Sequence, residues 1–134
     1  MEQALLVHLT TGRDPPFEAE ESMQELCGLV ESAGAEVVRE VFQHRSRISP
    51  KYYIGEGKVT ELKTLLRELQ GDMVVFDHIL TPIQQRSLED RLRTKIIDRT
   101  QIILDIFAQR ARSREGRIRN FQQLALLDQC NPVA

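Results

Sequence analysis

The chain has 134 residues, of which 41% are hydrophobic and 28% charged, the balance of one soluble globular domain with a sizeable core. A formal net charge of −2 argues against a uniformly basic or acidic chain, and the longest apolar runs, such as "ALLV" and "MVVF", are too short to span a membrane. Two cysteines without metal or disulfide-framework spacing, and a start, "MEQALLV", without a basic n-region, point to a reducing cytoplasm.

The elements follow from the periodicity. "ALLVHL" (4–9) is predicted as a buried strand. Residues 17–34 are predicted as a helix with Phe17, Met23, Leu26, Cys27 and Val30 on one face, introduced by Pro15 and Pro16 and ended by Gly34. A strand over 35–43, a polar loop over 44–56 and an amphipathic helix over 58–69 come next. That helix turns Val59, Leu62, Leu65, Leu66 and Leu69 inward and is closed by Gly71. A short strand (72–77) leads to a helix over 81–92, where Thr81, Pro82 and Gln84 form the signature of a capping box. "KIID" (95–98) is a fourth strand. A long helix starts directly after it, with Ile102, Ile103, Ile106, Phe107 and Ala111 on one side. The alternation β-α-β-α-β-α-β-α predicts an α/β domain: a mostly parallel four-stranded sheet with helices on both faces. A subdomain boundary is expected near residue 99.

The small net charge hides segregation. Residues 1–43 hold nine acidic and two basic side chains, residues 44–58 four basic and one acidic, and residues 109–119 five arginines and one glutamate. Two such basic segments either steer the chain onto a polyanion or are solvated surfaces.

In open α/β sheets ligands bind beyond the carboxyl ends of the strands. The outstanding connection there is "HRSRISPKYYIGEGK", long for its kind, with Arg45, Arg47, Lys51, Tyr53 and Lys58, and with Gly55 and Gly57 at a helix entrance that attracts anions. It is not a P-loop. The first glycine of that motif would fall on Tyr52, and Val59 stands where a hydroxyl must hold Mg²⁺. The alternative is that the two glycines only make a tight turn. Asp77–His78 at a strand end is an acid/base pair or a turn cap. Asp98 or Thr100 can cap the last helix, and Arg99 can pair with a nearby carboxylate. The three histidines lie far apart in sequence and have no zinc spacing.

Three stretches in this order and spacing, "YYIGEGKVTEL", "VVFDHILTPIQQRSLED" and "KIIDRTQIILDIFAQRARSREG", resemble the amino-terminal region of the HflX family of GTP-binding proteins over roughly residues 4–118. The resemblance implies an α/β unit (1–98) followed by a helical subdomain (99–134) whose long helix begins a helical hairpin, truncated here. It implies docking on the large ribosomal subunit and its RNA, with a GTPase domain of the same protein using GTP and Mg. No cofactor is expected in this chain itself, ATP at this domain being the alternative. By resemblance the loop around Arg45, Arg47, Tyr53, Gly55, Gly57 and Lys58 is the leading RNA or nucleotide contact, and Arg110, Arg112, Arg114 and Arg117 fall on the first hairpin helix. No P-loop GTPase domain is present in these 134 residues, so catalysis by this chain alone is not expected. The tail after about residue 118 departs from the family pattern, and a homodimer through the truncated helix is a further expectation. The rivals are an ATP-binding or ATP-hydrolysing domain with Asp77 and Asp98 near Mg²⁺, and a purely intramolecular regulator of the GTPase domain.

Overall fold

A computed structural model describes residues 1–12 and 15–113. Four strands, β1 (Gln3–Thr11), β2 (Glu36–Arg45), β3 (Met73–Phe76) and β4 (Lys95–Asp98), alternate with four helices. The helices are α1 (Pro16–Ser32), α2 (Glu56–Leu69), α3 (Pro82–Leu92) and α4 (Arg99–Ser113). The sheet order is β2-β1-β3-β4, and every pairing is parallel. One extra residue in β2, at Val38, shifts the register against Ala4 and Leu5. Short parallel strands joined by helices must carry those helices on the faces of the sheet, which is why β1 and β3 read as unbroken apolar runs.

Alternate residues of β1 feed two cores. Leu5, Val7 and Leu9 join Val59, Leu62 and Leu66 of α2 and Leu88 and Leu92 of α3. Ala4 and Leu6 join Met23, Leu26 and Val30 of α1 and Ile102 of α4. The predicted elements are all present, with ends moved by at most two residues, and the predicted far end of the last helix lies outside the described residues.

Two predicted apolar faces were too wide. Phe17 is 61% exposed. The buried row of α1 is Ala19, Met23, Leu26 and Val30, and at about 100° per residue Phe17 points about 120° away from Met23. Among the described side chains of α4 only Ile102 and Ile106 are buried, whereas Ile103 and Phe107 are 44% and 53% exposed. Each of these helices meets the sheet along one narrow row of i+3 and i+4 steps, and apolar residues beside that row stay exposed. Gly71 does not supply the turn that ends α2, since Gln70 takes the left-handed conformation. Gly71 is needed for space: a Cβ there would lie 2.6 Å from Leu5 Cδ1 and 2.9 Å from Leu66 Cδ2.

The described part of α4 packs onto the α/β unit, through buried Ile102 and through the Gln109 amide, which donates to the Ala33 carbonyl at 3.0 Å. The boundary expected at residue 99 thus falls at a strand–helix junction packed on both sides. The hairpin and the dimer expected from residues beyond 113 lie outside the described residues.

Candidate functional site

The chain leaves β1 towards β2 on one side, then crosses back to β3 on the other. The carboxyl ends of β1 and β3 therefore form the topological switch point, where open α/β sheets place their ligands. Two different charged constructions meet there.

The first is buried. The Asp77 side chain, just past β3, is fully shielded from solvent. His8 Nδ1 donates to its Oδ2 at 2.8 Å, the Ser22 hydroxyl to the same oxygen at 2.5 Å, and Arg99 Nη1 to its Oδ1 at 2.6 Å. Arg99 also reaches Ser22 Oγ at 3.1 Å and, through Nη2, Glu25 at 2.9 Å. Burial alone would raise the Asp77 carboxyl, but the His8 and Ser22 donors and the Arg99 charge bring it below its usual value. Burial works against the Arg99 guanidinium, and Glu25 and Asp77 hold it charged, above its usual value. Arg99 thus takes the carboxylate partner expected of it. The other strand-end carboxylate, Asp98, caps α4 by accepting from Gln101 N–H at 3.0 Å, while the Gln101 side chain accepts from Asp98 N–H at 2.9 Å. Asp98 also accepts from Leu80 N–H at 3.0 Å.

The second construction is the β2–α2 connection. Ser49 and Tyr53 exchange backbone hydrogen bonds at 2.9 and 3.1 Å, closing a turn over Pro50–Tyr52. The Gln84 amide of α3 donates to the Ser49 carbonyl at 2.9 Å, which ties the turn to the next helix. Tyr53 is buried, at a positive φ of 69°. Its ring lies edge-on to Phe76 and 4.9 Å from the His78 ring, and burial, with Asp77 nearby, pushes its phenol up to about 12. Lys51 lies over the Tyr52 ring at 5.2 Å, and Arg91 approaches the same ring at 5.8 Å. Arg47 and Lys51 are exposed and Arg45 half-buried.

The two glycines differ. Gly57 is open, with nothing within 4 Å of an added Cβ. Gly55 is closed over by its own chain: an added Cβ would meet Arg45 Nη1 at 2.9 Å and Gln43 Nε2 at 3.1 Å, and Gln43 Oε1 accepts the Gly55 N–H at 2.9 Å. Arg45 Nη1 thus lies close to the entrance of α2, the positive end of the helix dipole, where Gly55, the N-cap residue, has no side chain to cap the first turn. Arg45, Arg47 and Lys51 have no ion-pair partner among the described residues. Lys58 differs from them, since its ammonium pairs with Glu61 at 3.1 Å.

The second basic segment lies elsewhere. Gln109, next to Arg110, is bonded to Ala33 just before β2, at the amino edge of the sheet, whereas the loop lies at the carboxyl edge. Arg110 therefore does not share a face with Arg45 and Arg47. Of Arg112 only the backbone is described, and Arg114 and Arg117 lie outside the described residues.

Reading along the chain missed the meeting of His8 and His78. The His8 and His78 rings are 4.7 Å apart, and His44 reaches Thr10 Oγ1 at 3.1 Å. His8 lies within β1 and His78 just past β3, and the strand order that brings these two together leaves no local signal. Ser22 and Arg91 gave no signal either.

The GTP and Mg of the expected family do not fit these residues. Tyr52 and Val59, at the two positions where a P-loop would need glycine and a hydroxyl, are both buried in the core. Asp77 and Asp98 are committed to internal donors. No group of three His, Cys, Asp or Glu suited to a metal ion occurs among the described residues.

Comparison with known proteins places the chain. Residues 20–108 match the family of GTP-binding GTPase N-terminal domains. Over 117 residues the chain is 44% identical to the GTPase HflX of Escherichia coli (strain K12), covering 87% of this chain and 27% of that protein. It is 47% identical over the same length to the GTPase HflX of Lacrimispora saccharolytica, with the same two shares, 87% and 27%. The chain thus spans about a quarter of the length of these relatives. The crystal structure of a GTP-binding protein from the hyperthermophilic archaeon Sulfolobus solfataricus, in complex with GDP, shares the fold with a TM-score of 0.60. At 18% identity it covers 96% of this chain and 42% of that one. The chain therefore belongs to the HflX family of GTP-binding proteins and corresponds to their amino-terminal domain.

Proposed function

We propose that this domain is the RNA-docking module of an HflX-type GTPase. It contacts large-subunit ribosomal RNA through the β2–α2 connection and couples that contact to a GTPase domain of the same protein, in the cytoplasm. The observation that carries this reading is Arg45, at the entrance of α2, with Arg47 and Lys51 in the same connection and none of the three with a carboxylate partner among the described residues. A cation at the positive end of a helix is unfavourable until an anion joins them, and a phosphate fits both. Three cations within one strand–helix connection suit a phosphate backbone, and they carry no base-reading geometry. Gly57 leaves the backbone open to close approach. Tyr53 belongs to the support of this surface and not to its contact face, because it is buried. The ATP reading is weaker, since the two carboxylates it needs for Mg²⁺ are consumed by internal donors.

Sedimentation with purified large ribosomal subunits at two salt concentrations tests the reading. Three phosphate contacts lower the affinity roughly twenty- to forty-fold between 50 and 200 mM salt. Binding that ignores salt, or no binding, contradicts docking through this loop.

A further inference from the structure

Exposed isoleucines collect where the two connections at the carboxyl edge touch. The β3–α3 connection (77–81) is fixed from inside. Leu80 is buried, its N–H donates to Asp98 at 3.0 Å, and Thr81 and Gln84 close the capping box of α3. Leu80 thus serves the fold, yet its neighbour Ile79 is 74% exposed, and Ile83 in the first turn of α3 is 70% exposed. Ile79 follows His78, whose ring lies 4.9 Å from that of Tyr53. Ile83 precedes Gln84, whose amide donates to the Ser49 carbonyl at 2.9 Å, and Ile48, also exposed, precedes Ser49. Each of the three is therefore the chain neighbour of a residue that joins the two connections. One exposed isoleucine is ordinary, but three at one such junction mark a surface that folding does not use. Cations stand among them. Arg47 directly precedes Ile48, Lys51 follows shortly after it, and Arg86 comes one helical turn after Ile83, on the same side of α3. All three cations are exposed, and none forms an ion pair among the described residues.

We propose that Ile79 and Ile83, with Ile48, are the base-contacting part of this surface, so that the domain selects unpaired RNA over duplex. The partner of such a surface must bring anions and apolar faces together. An unpaired strand brings one phosphate and one base with each nucleotide, and its bases are free to swing out. A duplex hides the same faces in its stack and shows phosphates, sugars and groove edges. An acidic protein segment also carries both features, but it anchors its apolar side chains in concave pockets. Side chains as exposed as Ile79 and Ile83 protrude and do not line a groove. Protruding aliphatic side chains suit insertion against or between bases, the way apolar wedges enter nucleic acid. The hydrogen bonds of Leu80 and Gln84 hold the two connections in place, so the isoleucines are presented without a folding step on binding.

The inference rests on the RNA-docking reading and names the class of RNA that surface takes. The whole chain is titrated with three labelled RNAs of equal length: an oligouridine, a duplex, and an abasic strand that keeps its phosphates and lacks bases. Charge alone favours the duplex, whose phosphates are the most densely spaced. The expected result is the reverse: the oligouridine binds more tightly than the duplex and about ten-fold more tightly than the abasic strand. Ile79→Ser with Ile83→Gln brings the oligouridine down to the abasic level and leaves the salt slope unchanged, since no cation is removed. Equal affinity for oligouridine and abasic strand, or tighter binding of the duplex, overturns the inference. A preference that survives in the double variant also overturns it and assigns the isoleucines to a protein partner. If the double variant fails to unfold in urea as the unmodified chain does, the oligouridine and abasic affinities of the unmodified chain decide alone. Salt-dependent binding of all three RNAs with equal affinity removes this inference and leaves docking standing. Binding of none of them contradicts docking itself, and the inference falls with it.

Discussion

Two groups of charges lie at the same edge of the sheet and are treated in opposite ways. Around Asp77 every donor is spoken for, and the carboxylate is sealed from water. In the β2–α2 connection Arg47 and Lys51 stand in solvent, and Arg45 lies against a helix entrance with no carboxylate partner among the described residues. The first arrangement spends its charge on holding β1, β3, α1 and α4 together. The second keeps its charge available for something outside the domain. Residue type alone does not separate the two: Arg45 ends a strand and Arg99 follows one, and only their surroundings tell structure from recognition.

Breaking the buried side should have the largest effect on folding. Arg99→Ala leaves Asp77 charged and enclosed, and is expected to cost about 3 kcal/mol in urea unfolding. Next is Gly71→Ala, whose methyl has no room beside Leu5 and Leu66, at about 1–2 kcal/mol in the same measurement. Thr81→Ala removes the capping box of α3 and should cost about 1 kcal/mol. Lys58→Ala removes one exposed i, i+3 pair with Glu61, with an expected loss of about 0.3 kcal/mol.

Acid sharpens the same contrast. The folded Asp77 carboxyl sits below its ordinary value, so its contribution is fully present above about pH 3.9 and is lost as pH falls through the lower folded value. Asp77→Asn should be less stable at neutral pH and lose less on acidification. Urea midpoints measured at neutral and strongly acid pH check this.

Much of the scaffold was legible in the sequence. The switch from period-two to helical spacing marked all four strands and helices, and Thr81, Pro82 and Gln84 announced α3 correctly. Phe17, Ile103 and Phe107 were misjudged because periodicity tells which residues share a side, and not how wide a side the sheet will cover. The loop stood out through its length and charge. The meeting of His8, Ser22, Asp77 and Arg99 did not, because it depends on β3 lying next to β1, and no window of sequence contains that fact. Lys58 drew attention beside two glycines, yet its partner Glu61, one helical turn away, was in plain sight.

The central claim is that the loop charges serve recognition and the buried ones serve folding. The most direct test compares the unmodified chain with Arg45→Ala plus Arg47→Ala in sedimentation with large ribosomal subunits, with urea unfolding alongside. The account expects unfolding within about 0.5 kcal/mol of the original, weaker binding, and a salt slope shallower by about 1.4. A double variant that folds normally and binds the subunit with unchanged affinity and salt slope would contradict it.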